Sequence, residues 1–421
     1  MRISTSEFLL GSLPDLLTQQ SSVNQLNREI ATGQTLLDPS GDPAAAGQVV
    51  ETADQIQHLS YDAANAAGGA QTIQASLGVL QQVTNVIDQL RQYAVAGANA
   101  ATTAAERQAL VPTAQAALQQ LLQLANSQGA NGSYLFAGSK AATAPFVTQT
   151  GGQVTFNGDA ATNSVEIAPG LSVPVTASGQ NVFAAIPAGG NGVAVAAAAA
   201  NTGSAFAQIH GVTSLSQLTA EQLAGTEYQI AFTTAAASGS LNYTVTSGTG
   251  SPGSAGFAAS SGVVASGGFA TGTDLRFGGL DVAIQGPPAA GDSFTVAPGT
   301  NSSLFQTVQQ LISALGTPQQ AQTPNSAALQ QIQNSIGNLD AAQTAILTAE
   351  ASLGAGLSEI RSVQWQDQTQ STNAQSRLSN LQSANLPQVM ANYSASITAL
   401  QAAEEAFARV QGLSLFSFIH P

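Results

Sequence analysis

Cysteine is absent from all 421 residues, so disulfides, thiolate metal sites and thiol nucleophiles are all excluded. Charge is nearly as scarce. Only 8% of residues ionise, Lys140 is the sole lysine among nine basic side chains, and the formal net charge is -14. That balance repels nucleic acid and anionic membrane surfaces, and neither is expected as a partner. Aromatics are 5% against 43% hydrophobic residues overall; alanine supplies much of the difference, and a core built from it buries little area per residue. Long helices and extended contacts suit such a chain better than one large globular core. No run approaches the roughly 18 consecutive apolar residues of a membrane span. Phe8 to Leu13 is flanked by Glu7 and Asp15 with no A-x-A site close behind, so no cleaved signal peptide is expected.

What is present is concentrated at the two ends. Leu9, Leu13, Leu16, Val23, Leu26 and Ile30 advance in steps of three, four and seven, a narrow seam of the coiled-coil kind. Val389, Tyr393, Ile397, Leu400, Phe407, Val410 and Leu413, with Phe416 beyond, repeat at helical spacing near the other terminus. A lone amphipathic helix cannot hide its stripe, so the two ends are expected to pack on each other or on neighbouring molecules. These residues are the candidate assembly interface.

Turn signals at Asp38 to Pro43, Gly68-Gly69 and Gly97 to Thr103 divide the first third into about four helices. Pro14 marks the expected start of the first, since proline costs about 3 kcal/mol deeper in a helix. The next run from Ala44 to Ala66 and from Gln71 to Ala96. Thr103 with Glu106 forms a capping box for a helix to about Ser127.

From Gly138 to about Asn301 the texture turns to glycine, serine, threonine and proline. Asn157-Gly158 after Gln153 to Phe156 predicts a hairpin turn. A second hairpin is expected from Tyr228 to Thr233 and Leu241 to Thr246, and a third from Leu280 to Ile284 and Ser293 to Val296. Pro187 to Asn201 reads as a loose Ala/Gly stretch. Helical spacing returns with Leu304 to Leu315 and a long helix from Ala327 to Gln382. The expected fold is therefore mainly α with an inserted β domain, α+β in class. Its parts are residues 1–42 as N-terminal core helix and turn, 43–140 and 302–382 as the two halves of a helical bundle, 141–301 as the β-rich domain, and 383–421 as C-terminal core helix.

Enzyme-like fragments do not hold up. Gly248 to Gly253 has dinucleotide-fingerprint spacing, but Pro252 and the small residues up to Ser266 open no amphipathic helix, so a linker is expected there. Asp38-x-Ser40-x-Asp42 begins like a calcium loop, yet Pro43 replaces its glycine and Val49 its bidentate acid; helix-capping aspartates are the expectation. His58, His210 and His420 lie far apart in the sequence, and solvent-facing or turn positions are expected for them rather than a metal site. Glu404 and Glu405 interrupt the C-terminal seam, either as a solvated face or as a register pair with Arg28 or Arg2. No catalytic, cofactor-binding or metal residue is nominated, and no cofactor is expected.

Asn24 to Gly33 followed by Asp38 to Ala46 resembles the N-terminal signature of the flagellins and flagellin-like hook-associated proteins. Tyr134-Leu135-Phe136 followed by Gly138 is similar to a motif of the hook-associated members at the hook–filament junction. Leu378 to Pro387, Leu400 to Ala403 and Gly412 to Ile419 are similar to their C-terminal end. The resemblance covers about residues 1–140 and 302–420. It implies an elongated architecture, with terminal helices paired as a coiled coil, a helical bundle beside them and an outer β-rich domain. It further implies a structural subunit that assembles with copies of itself. A second hook-associated junction protein would lie on the hook side and flagellin on the filament side, after chaperone-assisted export through the flagellar secretion channel to the outside of the cell. Bulk flagellin and a secreted adhesin or binding module remain as alternatives.

Overall fold

The computed structural model describes residues 5–35, 42–99, 101–189, 192–234, 240–249, 258–317 and 326–416. Contacts divide the chain into two compact units, Met1–Ala64 with Ser362–Pro421, and Asn65–Arg361. Helix α1 spans Thr5–Thr32, α2 Pro43–Ala98 and α3 Ala104–Ala125. Strands β1 to β5 follow at Phe146–Thr148, Val154–Phe156, Ser164–Ala168, Leu171–Pro174 and Val193–Ala197, with a π-helical turn at Gln180–Ala184. Next come β6 (Phe206–Val212), α4 (Leu215–Ala224), β7 (Glu227–Thr234), β8 (Leu241–Thr249) and β9 (Ala258–Gly268). β10 (Asp274–Phe277), β11 (Leu280–Gln285), β12 (Ser293–Pro298), α5 (Leu304–Gly316), α6 (Ser326–Gln382) and α7 (Leu386–Phe416) complete the order.

The α+β reading with helices at both ends is what the structure has, but several boundaries differ. Pro14 lies inside α1 instead of opening it. Its ring removes one hydrogen bond to Leu10, which the remaining turns outlast, and the Thr18 hydroxyl donates back to the Pro14 carbonyl at 2.8 Å. Gly68-Gly69 is no break: α2 runs through it. A side chain at Gly69 would come within 3.2 Å of Val175 and 3.4 Å of Ile360, and one at Gly356 of α6 within 3.0 Å of Val173. These glycines let the segment after the β3–β4 hairpin approach both helices; close packing, not turning, is their purpose. The capping box at Thr103 is formed: Glu106 donates its backbone N–H to the Thr103 hydroxyl at 3.2 Å and accepts from the Thr103 N–H at 2.8 Å. Asp42 caps α2 through the N–H groups of Ala44 and Ala45, while Asp38 and Ser40 lie outside the described residues.

Asn157-Gly158 does not turn a hairpin. β2 pairs with β1, which precedes it, across the Gln149–Gln153 turn, and Asn157 donates to the Pro145 carbonyl at 2.8 Å. The β7–β8 hairpin is formed, its residues 235–239 lying outside the description. The pair expected from 280–284 and 293–296 is not a hairpin either. β11 joins a sheet of order β10-β11-β6, whereas β12 sits in the other, β5-β12-β7-β8-β9. Gly286 (φ 79°) and the buried Asp292 carry the chain between the two sheets; Asp292 accepts the N–H groups of Thr202 at 2.8 Å and Ala289 at 2.8 Å. The stretch 187–201 holds β5, and the supposed linker up to Ser266 holds most of β9. In both, alanine and glycine hid strands that are fixed by their partners and not by propensity. The two sheets share one core, with Ile230, Phe232, Val245, Val282, Ile284 and Phe294 at its centre.

Candidate assembly interface and motif site

At the chain ends α1 packs against α7. The turn after α1 is clasped to the break between α6 and α7: Thr35 donates to Gln382 at 2.9 Å, Ala384 donates to Gly33 at 2.8 Å, and Gln34 bridges Ser383. Gly33 takes φ 69°, a left-handed helix end that a side chain would strain. Pro387 falls in the first turn of α7, where proline is tolerated.

Along this pair the seam residues are only partly covered. Val389 is buried, whereas Leu16, Val23, Leu26, Ile30, Tyr393, Ile397, Leu400 and Phe407 are half-buried and Leu13 is 49% exposed. The side chains of Leu9, Val410, Leu413 and Phe416 lie outside the described residues, although all four positions are helical. Between the helices a cleft of about 390 Å³ is lined by Ser22, Gln25, Leu26, Asn392, Ala395 and Ser396. Leu17 (59% exposed) and Met390 (53%) add apolar surface that the stepwise seam did not include. Glu405 meets Arg409 one turn on, at 3.9 Å; Arg2 lies outside the description.

In the same unit Asp367 of α6 is buried, and its Oδ2 finds no hydrogen-bond partner among the described residues. Burial, and then the charge of Asp62 on α2, push its carboxyl above the usual range. A carboxyl whose folded pKa is raised binds its proton more tightly folded than unfolded, so it withdraws stability as pH rises from the ordinary value near 4 through the raised one. Asp367→Asn is expected to raise the thermal midpoint at pH 7 by a few degrees, of the order a 1 kcal/mol gain produces. The gain should vanish below about pH 4, where the native carboxyl is already neutral; a pH-independent difference would contradict this account.

The motif residues Tyr134, Leu135, Phe136 and Gly138 sit in the other unit, and they are structural. Leu135 and Phe136 are buried, and Tyr134 is half-buried. Phe136 meets Phe183 edge-on at 5.2 Å between ring centres, and Phe146 packs on both Phe183 (5.5 Å) and Phe305 of α5 (5.0 Å). This aromatic knot ties the π-helical turn and β1 to α5. Leu135 donates to the Ser127 carbonyl at 3.0 Å and Tyr134 to that of Ala141 at 2.9 Å. Beside them the Asp159 carboxylate accepts the Ser139 hydroxyl, the Ser139 N–H (2.9 Å) and the Ala161 N–H (3.1 Å). Those bonds, the Ser139 hydroxyl first, hold its pKa below the usual range.

One device escaped the sequence reading. Ser326, Gln330, Asn334 and Asn338 stand four residues apart on α6, and all hydrogen-bond to the backbone of the β-rich part. Ser326 donates to Ala205, Gln330 accepts from the Ala207 N–H at 2.8 Å and donates to its carbonyl at 2.9 Å, Asn334 donates to Val195 at 2.6 Å, and Asn338 accepts from Gly189 at 2.7 Å. β5 and β6 are sheet edges, so this polar row caps rims that would otherwise be left open. The i, i+4 spacing of amides was visible, but an amide row reads equally as a solvated face.

Among the described residues no cluster of His, Asp and Glu could hold a metal ion, and no helix is long and apolar enough to cross a membrane. His210 lies 3.5 Å from Asp274.

Residues 3–141 match the bacterial flagellin N-terminal helical region. The chain is 35% identical over 153 residues to flagellar hook-associated protein 3 of Salmonella typhimurium, covering 36% of this chain and 48% of that protein. It is 30% identical over 187 residues to flagellar hook-associated protein 3 of Escherichia coli, covering 44% and 58%. The matched stretches thus span about half the length of these curated relatives. The fold is similar to the flagellar junction protein FlgL from Legionella pneumophila, with a TM-score of 0.68 at 26% identity, over 80% of this chain and 99% of that one. In its first third the chain is similar to the flagellin N-terminal helical region, over part of its length to flagellar hook-associated protein 3, and in fold to a flagellar junction protein.

Proposed function

We propose that the chain is a structural, non-catalytic subunit of the bacterial flagellum that forms the hook–filament junction outside the cell. The observation that carries this is the α1–α7 pair, whose apolar seams cover each other only in part. Surface left open along two paired helices suits neighbours above, below and beside, and such heterologous contacts propagate as a helical layer unless the rotation closes a ring. In this reading copies of the chain form the layer, a second hook-associated junction protein meets it on the hook side, and flagellin continues on the filament side. An export chaperone would shield the seams before assembly. Only 8% of residues are charged, so few ionised side chains need be desolvated when copies pack closely, although the net charge of -14 works against that packing.

Deleting the gene tests this directly. Cells should retain hooks, lose filaments and release flagellin into the medium. Normal filaments in the deletion strain would end the proposal, and long filaments grown from the purified chain alone would make it a bulk flagellin instead.

A further inference from the structure

A groove of about 510 Å³ runs between α6 and the rims of β5 and β6, where the capping row of α6 leaves the β6 side and continues on Val195 and Gly189. Ser326 and Gln330 satisfy Ala205, just before β6, and Ala207 of β6. In an antiparallel pair, alternate residues turn both backbone groups to the same side. The next residue in that row is Ile209, because Gln330 takes both groups of Ala207, and Ala207 and Ile209 lie opposite Ile284 and Val282 in the ladder. Asn334, the next amide of the helix, turns away to Val195. Ile209 is the last regular residue before the register shifts at His210, opposite Asp281 and Val282; by the alternation up to it, its N–H and carbonyl turn toward the groove, and among the described residues no α6 side chain bonds them.

We propose that this groove takes up an extended segment of a partner polypeptide, which pairs with Ile209 as an added strand. An adjacent donor and acceptor on one residue is what a peptide backbone recognises, and strand addition of this kind draws its affinity from main-chain bonds. Val195, Ile209 and Ile336 supply apolar floor, and Gly337, Ala341 and Ala345 keep the helix wall low. The lining from Gln333 to Thr348 of α6 extends roughly 22 Å at 1.5 Å per residue, enough for about seven residues of extended chain. Asp340, held by Arg91 at 3.0 Å, is the one charged side chain on the lining among the described residues. The occupant is thus neutral or basic with small or aliphatic side chains, and in a chain of net charge -14 an acidic segment is disfavoured. The inference does not rest on the junction reading.

The test uses the full chain and an end-blocked heptapeptide of alternating valine and threonine with one lysine. Hydrogen exchange at the Ile209 amide should slow by about tenfold or more when the peptide is present in excess, and its amide resonance should shift. A peptide N-methylated along its pairing edge should bind at least tenfold more weakly, and one with glutamate for lysine should also bind more weakly. Ala341→Trp, which fills the groove from the helix side, should abolish the response while the circular dichroism spectrum is retained. If the Ile209 amide is unmoved at millimolar peptide in the unaltered chain, or the N-methylated peptide binds as well as its parent, the proposal fails.

Discussion

Replacing Gly138 with alanine is expected to destabilise the unit formed by Asn65–Arg361 by about 2–6 kcal/mol, combining left-handed backbone strain with overpacking. Gly138 has φ 67°, and a Cβ there would overlap the Asp159 carboxylate and lie 2.8 Å from the Asp159 carbonyl oxygen. A side chain could rotate away; the carbonyl cannot, because it belongs to the turn that places Ser139 and Ala161 on the same carboxylate. Gly132 provides the control. It too is left-handed, at φ 76°, but nothing lies within 4 Å of its would-be Cβ, so Gly132→Ala should cost only the strain, about 1–2 kcal/mol. Urea unfolding of both variants separates the two contributions. Equal midpoints would mean that Gly138 is needed for its backbone conformation alone and that the Asp159 contact is soft.

The same motif shows what sequence can and cannot reveal. Tyr134, Leu135, Phe136 and Gly138 were recognisable as a pattern, yet their role depends on Phe146, Phe183, Phe305 and Asp159, which arrive from 8 to 167 residues further along the chain. Helices announced themselves wherever apolar spacing and caps coincided, as at Thr103 and Ser326 to Gln382. They were cut wrongly wherever a single residue was read as punctuation. Gly69 is small because Val175 and Ile360 press on it, and Pro14 is tolerated because its helix is long enough to lose one bond. Strands were legible where β-branched or aromatic residues alternate with polar or small ones, in β2, β7, β8, β11 and β12, although of the hairpins expected there only β7–β8 forms. β5 and β9 each hold two valines among small residues, alanine in β5 and alanine, glycine and serine in β9, whose own preference for a strand is weak, and their places come from the neighbours β12 and β8. The sheet change between β11 and β12 could not be read from a proline-glycine loop that suits a hairpin equally well. For the seams, spacing identified the helical faces but not how much of each the partner helix would leave open.

That open remainder gives the second large effect. Changing Leu13 and Leu17 together to glutamate should leave the isolated chain nearly as stable as before, since at 49% and 59% exposure both behave as surface positions, where substitutions usually stay within about 0.5 kcal/mol. Assembly should respond very differently. If both leucines are buried against neighbouring subunits, their loss removes about 3–6 kcal/mol per subunit at about 1.5–3 kcal/mol each, a factor of roughly 10² to 10⁴ in the association constant. Desolvating the new carboxylates adds to that penalty. Cells carrying the double variant should still export the chain, shed flagellin and fail to swim, whereas Leu16→Glu, at a half-buried position of the seam, should lower the thermal midpoint of the chain itself. Swimming at the normal rate with both glutamates in place would mean that the outer edge of α1 faces water in the assembled layer. The seam shared with α7 would then serve only to close the subunit on itself.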